Sequence, residues 1–96
     1  MRNIEFAWDE RKAKSNLVKH GVSFEEAKSV FLDESARLLD DPDHSADEER
    51  FVLLGYSFQA RCLIVSHCYR QSDAEIRLIS PRKATVREEQ TYWSLQ

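Results

Sequence analysis

Glycine is nearly absent: the 96-residue chain has two, Gly21 and Gly55. Loops that cradle phosphate with backbone amides need closely spaced glycines, so a P-loop and a dinucleotide-binding fingerprint are excluded. No nucleophile elbow and no zinc-ligand spacing occur. Long apolar runs are also missing, and none approaches the ~20 residues that span a bilayer. The opening Met1 to Asp9 has no apolar core of a secretory signal, so the expected location is the cytoplasm. Cysteine is limited to Cys62 and Cys68, both in one expected strand. At ~3.3 Å per residue their Cα atoms stand roughly 20 Å apart, beyond the ~7 Å reach of a disulfide. Reduced, half-buried thiols are expected.

What is present fits one modest domain spanning residues 1–96. The net charge of −3 argues against indiscriminate nucleic-acid binding, but the charges are segregated. Residues 33–49 hold eight acids and one base, Arg37, whereas residues 61–87 hold six bases and two acids, Asp73 and Glu75. A local basic surface on an acidic protein suits a defined anionic ligand.

Along the chain, Ile4 to Trp8 alternates and reads as a short edge strand or an anchoring N-terminal segment. Asp9 is a natural N-cap for a helix from about Glu10 to His20, with Ala13 and Leu17 as its thin apolar face. Gly21 follows as the terminator, and Ser23 with Glu26 has capping-box spacing for a second helix carrying Phe24, Ala27, Val30 and Phe31. Ala36 to Asp40 is a short strand candidate. Three strands follow at about Arg50–Tyr56, Arg61–Tyr69 and Glu75–Ser80, separated by hairpin-length polar gaps. Thr85 and Glu88 again have capping-box spacing, so a last helix runs from Val86 toward Leu95. This order predicts an α+β domain: a small antiparallel sheet packed with two N-terminal helices and one C-terminal helix.

Chemistry concentrates where the last strand meets the last helix. Arg77, Arg82 and Lys83 gather beside outward-pointing helix amides, a combination suited to phosphate. A solvated basic turn reads equally well from that segment alone. A regular hairpin about Ser72 sets His67 opposite Arg77 and Tyr69 opposite Glu75 on one face. Arg61 shares the parity of His67 and extends that face, while Arg87 lies unfavourably for the helix dipole in the first turn of the last helix. The acidic loop holds Asp40, Asp41, Asp43 and His44, but lacks Asp-x-Asp-Gly spacing and a second histidine. Ser45 with Glu48 makes a helical turn the simpler reading there. His20 is explained by contact with a helix C-terminus.

Four stretches together resemble the BrnT family of bacterial toxins. They are Phe6-x-Trp8-Asp9; Asn16-x-x-Lys19-His20-Gly21-Val22-Ser23-Phe24-Glu25-Glu26-Ala27; Asp41-Pro42-Asp43-His44-Ser45 through Glu48-Glu49-Arg50-Phe51; and Ile76-Arg77-Leu78-Ile79-Ser80-x-Arg82-Lys83-Ala84-Thr85. The resemblance implies a RelE-like fold, metal-independent RNA cleavage that inhibits translation, no cofactor, and a complex with a BrnA-like antitoxin carrying a DNA-binding module. By position, it points to Arg77, Arg82, Lys83 and His67. The chain departs from the family pattern at Pro81, where members carry a small or flexible residue. It departs again at Val86-Arg87-Glu88-Glu89-Gln90, where they carry a denser arginine run, which lowers the expected strength of RNA binding.

RNA brings its own nucleophile, the 2′-OH, so a small protein need only orient it, stabilise phosphorane charge and assist proton transfer. Arg77 and Arg82 are expected to take the charge, Lys83 to position phosphate, and His67 to act as general acid or base. Arg61 and Arg87 are expected to bind substrate, and Tyr69 or Tyr92 to stack on a base. Two other readings remain. One is a non-catalytic RNA- or protein-binding module with a basic docking face. The weaker one is a metal-dependent nuclease using Asp41, Asp43 and His44.

Overall fold

The computed structural model describes residues 4–41, 49–70 and 74–94. The chain order is β1 (Glu5–Ala7), α1 (Glu10–His20), α2 (Phe24–Val30), β2 (Arg37–Asp40), β3 (Phe51–Tyr56), β4 (Cys62–Arg70), β5 (Glu75–Lys83) and α3 (Val86–Ser94). The five strands form one sheet in the order β1-β5-β4-β3-β2. β2 to β5 are antiparallel, as the hairpin-length gaps from β3 to β5 require for those three, and β1 adds a parallel edge against β5 with Glu5 beside Glu75. The expected fold is present, with that parallel strand making the sheet mixed. Asp43, His44 and the Ser45/Glu48 pair, the turn about Ser72, and Leu95 lie outside the described residues.

The helix ends follow the sequence signals. Asp9 accepts from the Arg11 and Lys12 amides, and Gly21 closes α1 at φ 70°, in the left-handed region where a side chain is strained. The Ser23 hydroxyl accepts from the Glu26 amide at 3.0 Å. Thr85 and Glu88 form a reciprocal capping box, with bonds of 2.8 and 3.1 Å.

Alternation along β3 and β4 divides the sheet into two faces. Leu53, Leu63 and Val65 pack with Val22, Phe24, Ala27 and Val30 beneath the N-terminal helices, joined by Ile76 and Leu78 of β5. β3 comes so close to the end of α2 that a Cβ on Gly55 would stand 2.9 Å from Ala36 Cβ. Leu54, Cys62 and Ile64 face the other way and meet Tyr92 of α3. α3 shields one end of this second face. Asp33 ties the ends together, accepting from the Tyr56 amide at 2.9 Å, the Ser35 amide at 3.0 Å and the Tyr92 hydroxyl at 2.9 Å. Burial pushes its carboxyl up, and these donors outweigh that, so its pKa is lowered.

One expectation fails in α1. Leu17, assigned to its apolar face, is 49% exposed, and the deeply placed residue is Asn16. Its side-chain amide donates to the carbonyls of Val22 at 3.1 Å and Pro81 at 2.9 Å. α1 lies against β5, where backbone acceptors need a donor more than they need an aliphatic neighbour.

Candidate active site on the open face of the sheet

Arg77 and Arg82 are five residues apart, so a regular strand would send them to opposite faces. β5 is not regular. His67 pairs with Leu78 and Ser66 with Ser80, leaving Ile79 as an extra residue in a β-bulge. The added residue shifts the alternation. Arg77 opposite Cys68 and Arg82 opposite Ile64 therefore share the face not covered by α1 and α2. The same alternation brings Arg70 of β4 and Arg37 of β2 to that face, the latter opposite Leu54.

Between β2 and α3 this face sinks into a cleft of about 550 Å³. Val52, Leu54 and Ile64 form its apolar floor, and Ser66 and Ser80 add hydroxyls. Arg50 and Arg82 bring cations into it, Asp40 and Asp41 stand at the β2 end, and Glu88 and Thr91 enter from α3. Arg82 donates to both oxygens of Glu88, at 2.8 Å each, in a forked pair. The Arg82 guanidinium holds the Glu88 carboxyl down at about 2, against the opposing effect of burial, with help from Thr85. Glu88 is thus ionised at any physiological pH. It is too weak a base to take a proton readily, and its role is to fix the plane of Arg82. No carboxylate pairs with Arg77 among the described residues.

The expected partnership of His67 with Arg77 is not formed. The register is offset by one from the regular hairpin, so Cys68 stands opposite Arg77 and His67 turns to the helix-covered face. There it is 0% exposed, with ring centroids 5.0 Å from Phe31 and 5.2 Å from Tyr69. Nδ1 lies 3.0 Å from the Val65 carbonyl, which can only accept, so Nδ1 carries the proton. Nε2 accepts from the Tyr69 hydroxyl at 3.2 Å. Burial lowers the pKa of the ring, keeping it neutral.

Other candidates also separate. Lys83 follows Arg82 within β5 rather than in a turn, so it points to the opposite face, opposite Leu63. Arg61 is committed to structure: its Nε donates to Glu26 at 2.9 Å, one terminal nitrogen makes a shorter bond to the same carboxylate, and that nitrogen also reaches the Gly21 carbonyl at 3.1 Å. Glu26, expected to complete a capping box, is instead 1% exposed and engaged by Arg61 and the Ser57 hydroxyl. Tyr69 packs on Phe51 and His67, and Tyr92 is 4% exposed, so Tyr92 has no ring face to offer a base. Arg87 is exposed on α3. Arg50, Ser66 and Ser80 were not anticipated. Alternation counted through β3 and β4 marks Arg50 and Ser66 as one face, but no sequence pattern locates the bulge that brings Ser80 and Arg82 beside them.

The profile of a family described as "Ribonuclease toxin, BrnT, of type II toxin-antitoxin system" matches residues 8–88. The chain belongs to the BrnT family. The fold agrees: the crystal structure of the Brucella abortus ribonuclease toxin BrnT superposes with a TM-score of 0.62 at 25% identity, covering 88% of this chain and 99% of that one. No curated protein sequence matches the chain. The BrnT match takes in Arg50, Arg77, Arg82 and Glu88, so the cleft is built from the family's region and α3 completes it with Thr91. As a BrnT-family chain it is the ribonuclease-toxin half of a type II toxin–antitoxin system. No helix among the described residues is long and apolar enough to cross a membrane.

Proposed function

We propose that this single domain cleaves RNA internally without a metal ion, by attack of a 2′-OH on the adjacent phosphate, and thereby stops translation. The observation that carries the reading is the bulge that sets Arg77 and Arg82 on the open face, beside a cleft holding Arg50. A phosphate there meets guanidiniums from more than one direction. The 2′-oxygen forms the new bond to phosphorus, the 5′-oxygen leaves, and the products are a 2′,3′-cyclic phosphate and a 5′-hydroxyl. Arg82, held in plane by Glu88, and Arg77 stabilise the added negative charge. Asp40, at the β2 end, disfavours phosphate there and favours the Arg82 end. Protons exchange with water on the open face, because His67 is buried behind the sheet. Both Glu88 oxygens are engaged by Arg82, so this carboxylate serves the guanidinium rather than a metal ion.

The partner is a BrnA-like antitoxin with a DNA-binding module, and the toxin acts in the cytoplasm. Incubation of antitoxin-free protein with a defined RNA in EDTA tests the reading. Fragments ending in 2′,3′-cyclic or 3′-phosphate are expected. Intact RNA that is still bound identifies a non-catalytic binding module instead, and cleavage that EDTA abolishes identifies a metal-dependent nuclease.

A further inference from the structure

α1 turns an unusual side toward β5. A helix lying beside a sheet edge ordinarily presents an apolar stripe. Here the positions spaced four apart are Arg11, Ser15 and Lys19, flanked by Lys12, Asn16 and His20. With Ile79 and Ser80 they line a groove of about 510 Å³ that contains no carboxylate. Arg11, Lys12 and Lys19 are exposed, and none has an ion-pair partner among the described residues. The aliphatic Leu17 and Val18 face solvent away from the groove. Asn16, bonded to the Pro81 carbonyl, fixes this basic side against the strand.

The bulge residues connect this groove to the cleft. Ile79 and Ser80 line both, so the two depressions flank the same stretch of β5. We infer that the α1 groove binds the sugar–phosphate backbone of the RNA flanking the scissile phosphate, which makes it an extended substrate site. The inference rests on the ribonuclease reading of the cleft. Arg11 and Lys19, eight residues apart, are separated by about 12 Å along the helix at ~1.5 Å per residue, room for roughly two or three phosphates. The groove offers cations and hydroxyls but no aromatic anchor of the kind a protein partner fills, so it reads backbone charge rather than side chains. It also supplies, from another element, the cations that α3 lacks beyond Arg87.

The test is the triple variant Arg11→Ala/Lys12→Ala/Lys19→Ala in the full chain, with a 20-nucleotide RNA and a trinucleotide confined to the cleft as probes. For the long RNA, KM should rise roughly tenfold with kcat unchanged, and the slope of log affinity against log salt should flatten by about 2, at ~0.7 per phosphate contact. Cleavage of the trinucleotide should not change. The charge-reversed Lys12→Glu/Lys19→Glu gives a second measure, with thermal unfolding confirming that both variants fold. Unchanged KM and salt slope on the long RNA overturn the inference. If the parent cleaves neither RNA, the ribonuclease reading fails on its own, and equilibrium binding of the long RNA then decides the groove. Weaker binding by the triple variant supports it, and equal binding overturns it.

Discussion

The two faces of the sheet use the same kinds of residue to opposite ends. Under α1 and α2, the buried ionisable groups Glu26 and His67 are internally satisfied: Glu26 is clasped by Arg61 and Ser57, and His67 sits neutral among Phe31, Phe51 and Tyr69. On the other face, Arg77 and Arg82 are brought together by a bulge and left half-exposed beside a cleft. A cation's presence on a basic segment therefore says little about its task. The side of the sheet it reaches decides whether it is drawn into the core, as Arg61 is by Glu26, or left beside the cleft, as Arg77 is.

The sharpest way to break the contrast is Arg61→Ala. It strands the Glu26 carboxylate in the core, and the expected loss is about 3–5 kcal/mol of stability, read from urea unfolding. Toxicity would vanish with the fold. Arg77→Ala should do the reverse. About 3 kcal/mol is expected in the barrier, a cleavage rate down ~100-fold, with the urea midpoint nearly unchanged. Unaltered cleavage by Arg77→Ala would remove that residue from the site.

His67→Phe sharpens the comparison from the covered face. It leaves the Val65 carbonyl and the Tyr69 hydroxyl without their partner, costing about 1–3 kcal/mol, while cleavage per folded molecule stays at the parent level. A hundredfold loss of rate in a folded variant would instead restore the histidine to the chemistry. The pH dependence of stability follows from the same groups. The folded pKa of His67 is lowered, so the unfolded chain binds its proton more readily and stability declines as pH falls below about 6.5. Glu26 and Glu88, also lowered, contribute stability that is full above about 4.3 and is lost as pH falls, for Glu88 down to about 2. As pH is lowered from 8 to 4, the urea midpoint should therefore drop for the parent, while that of His67→Phe stays flatter above pH 5. The smallest effect belongs to Gly21→Ala, about 1 kcal/mol, because φ 70° disfavours a side chain although nothing crowds the site.

The local elements were legible because their signals are local. Asp9, Gly21, Ser23 and the Thr85/Glu88 pair mark helix ends through bonds to near neighbours, and the structure makes those bonds. Arg77 and Arg82 were legible as a cationic cluster for the same reason. What escaped was relational. A hairpin offset by one residue turned His67 inward, a bulge at Ile79 set the phase of β5, and the ion pair that claims Arg61 joins residues 35 positions apart. Composition and spacing carry none of these, since each depends on how distant segments come into register.

The sheet order has a consequence for timing. β5 carries both Arg77 and Arg82, is the last strand along the chain, and sits between β4 and β1, whose Glu5 pairs with Glu75. The open face is therefore completed only when the strand made last is inserted beside the strand made first. A chain released short of Arg82 lacks a cation of the cleft and the α3 residues Glu88 and Thr91 that line it, so on the ribonuclease reading proposed above it should cleave no RNA.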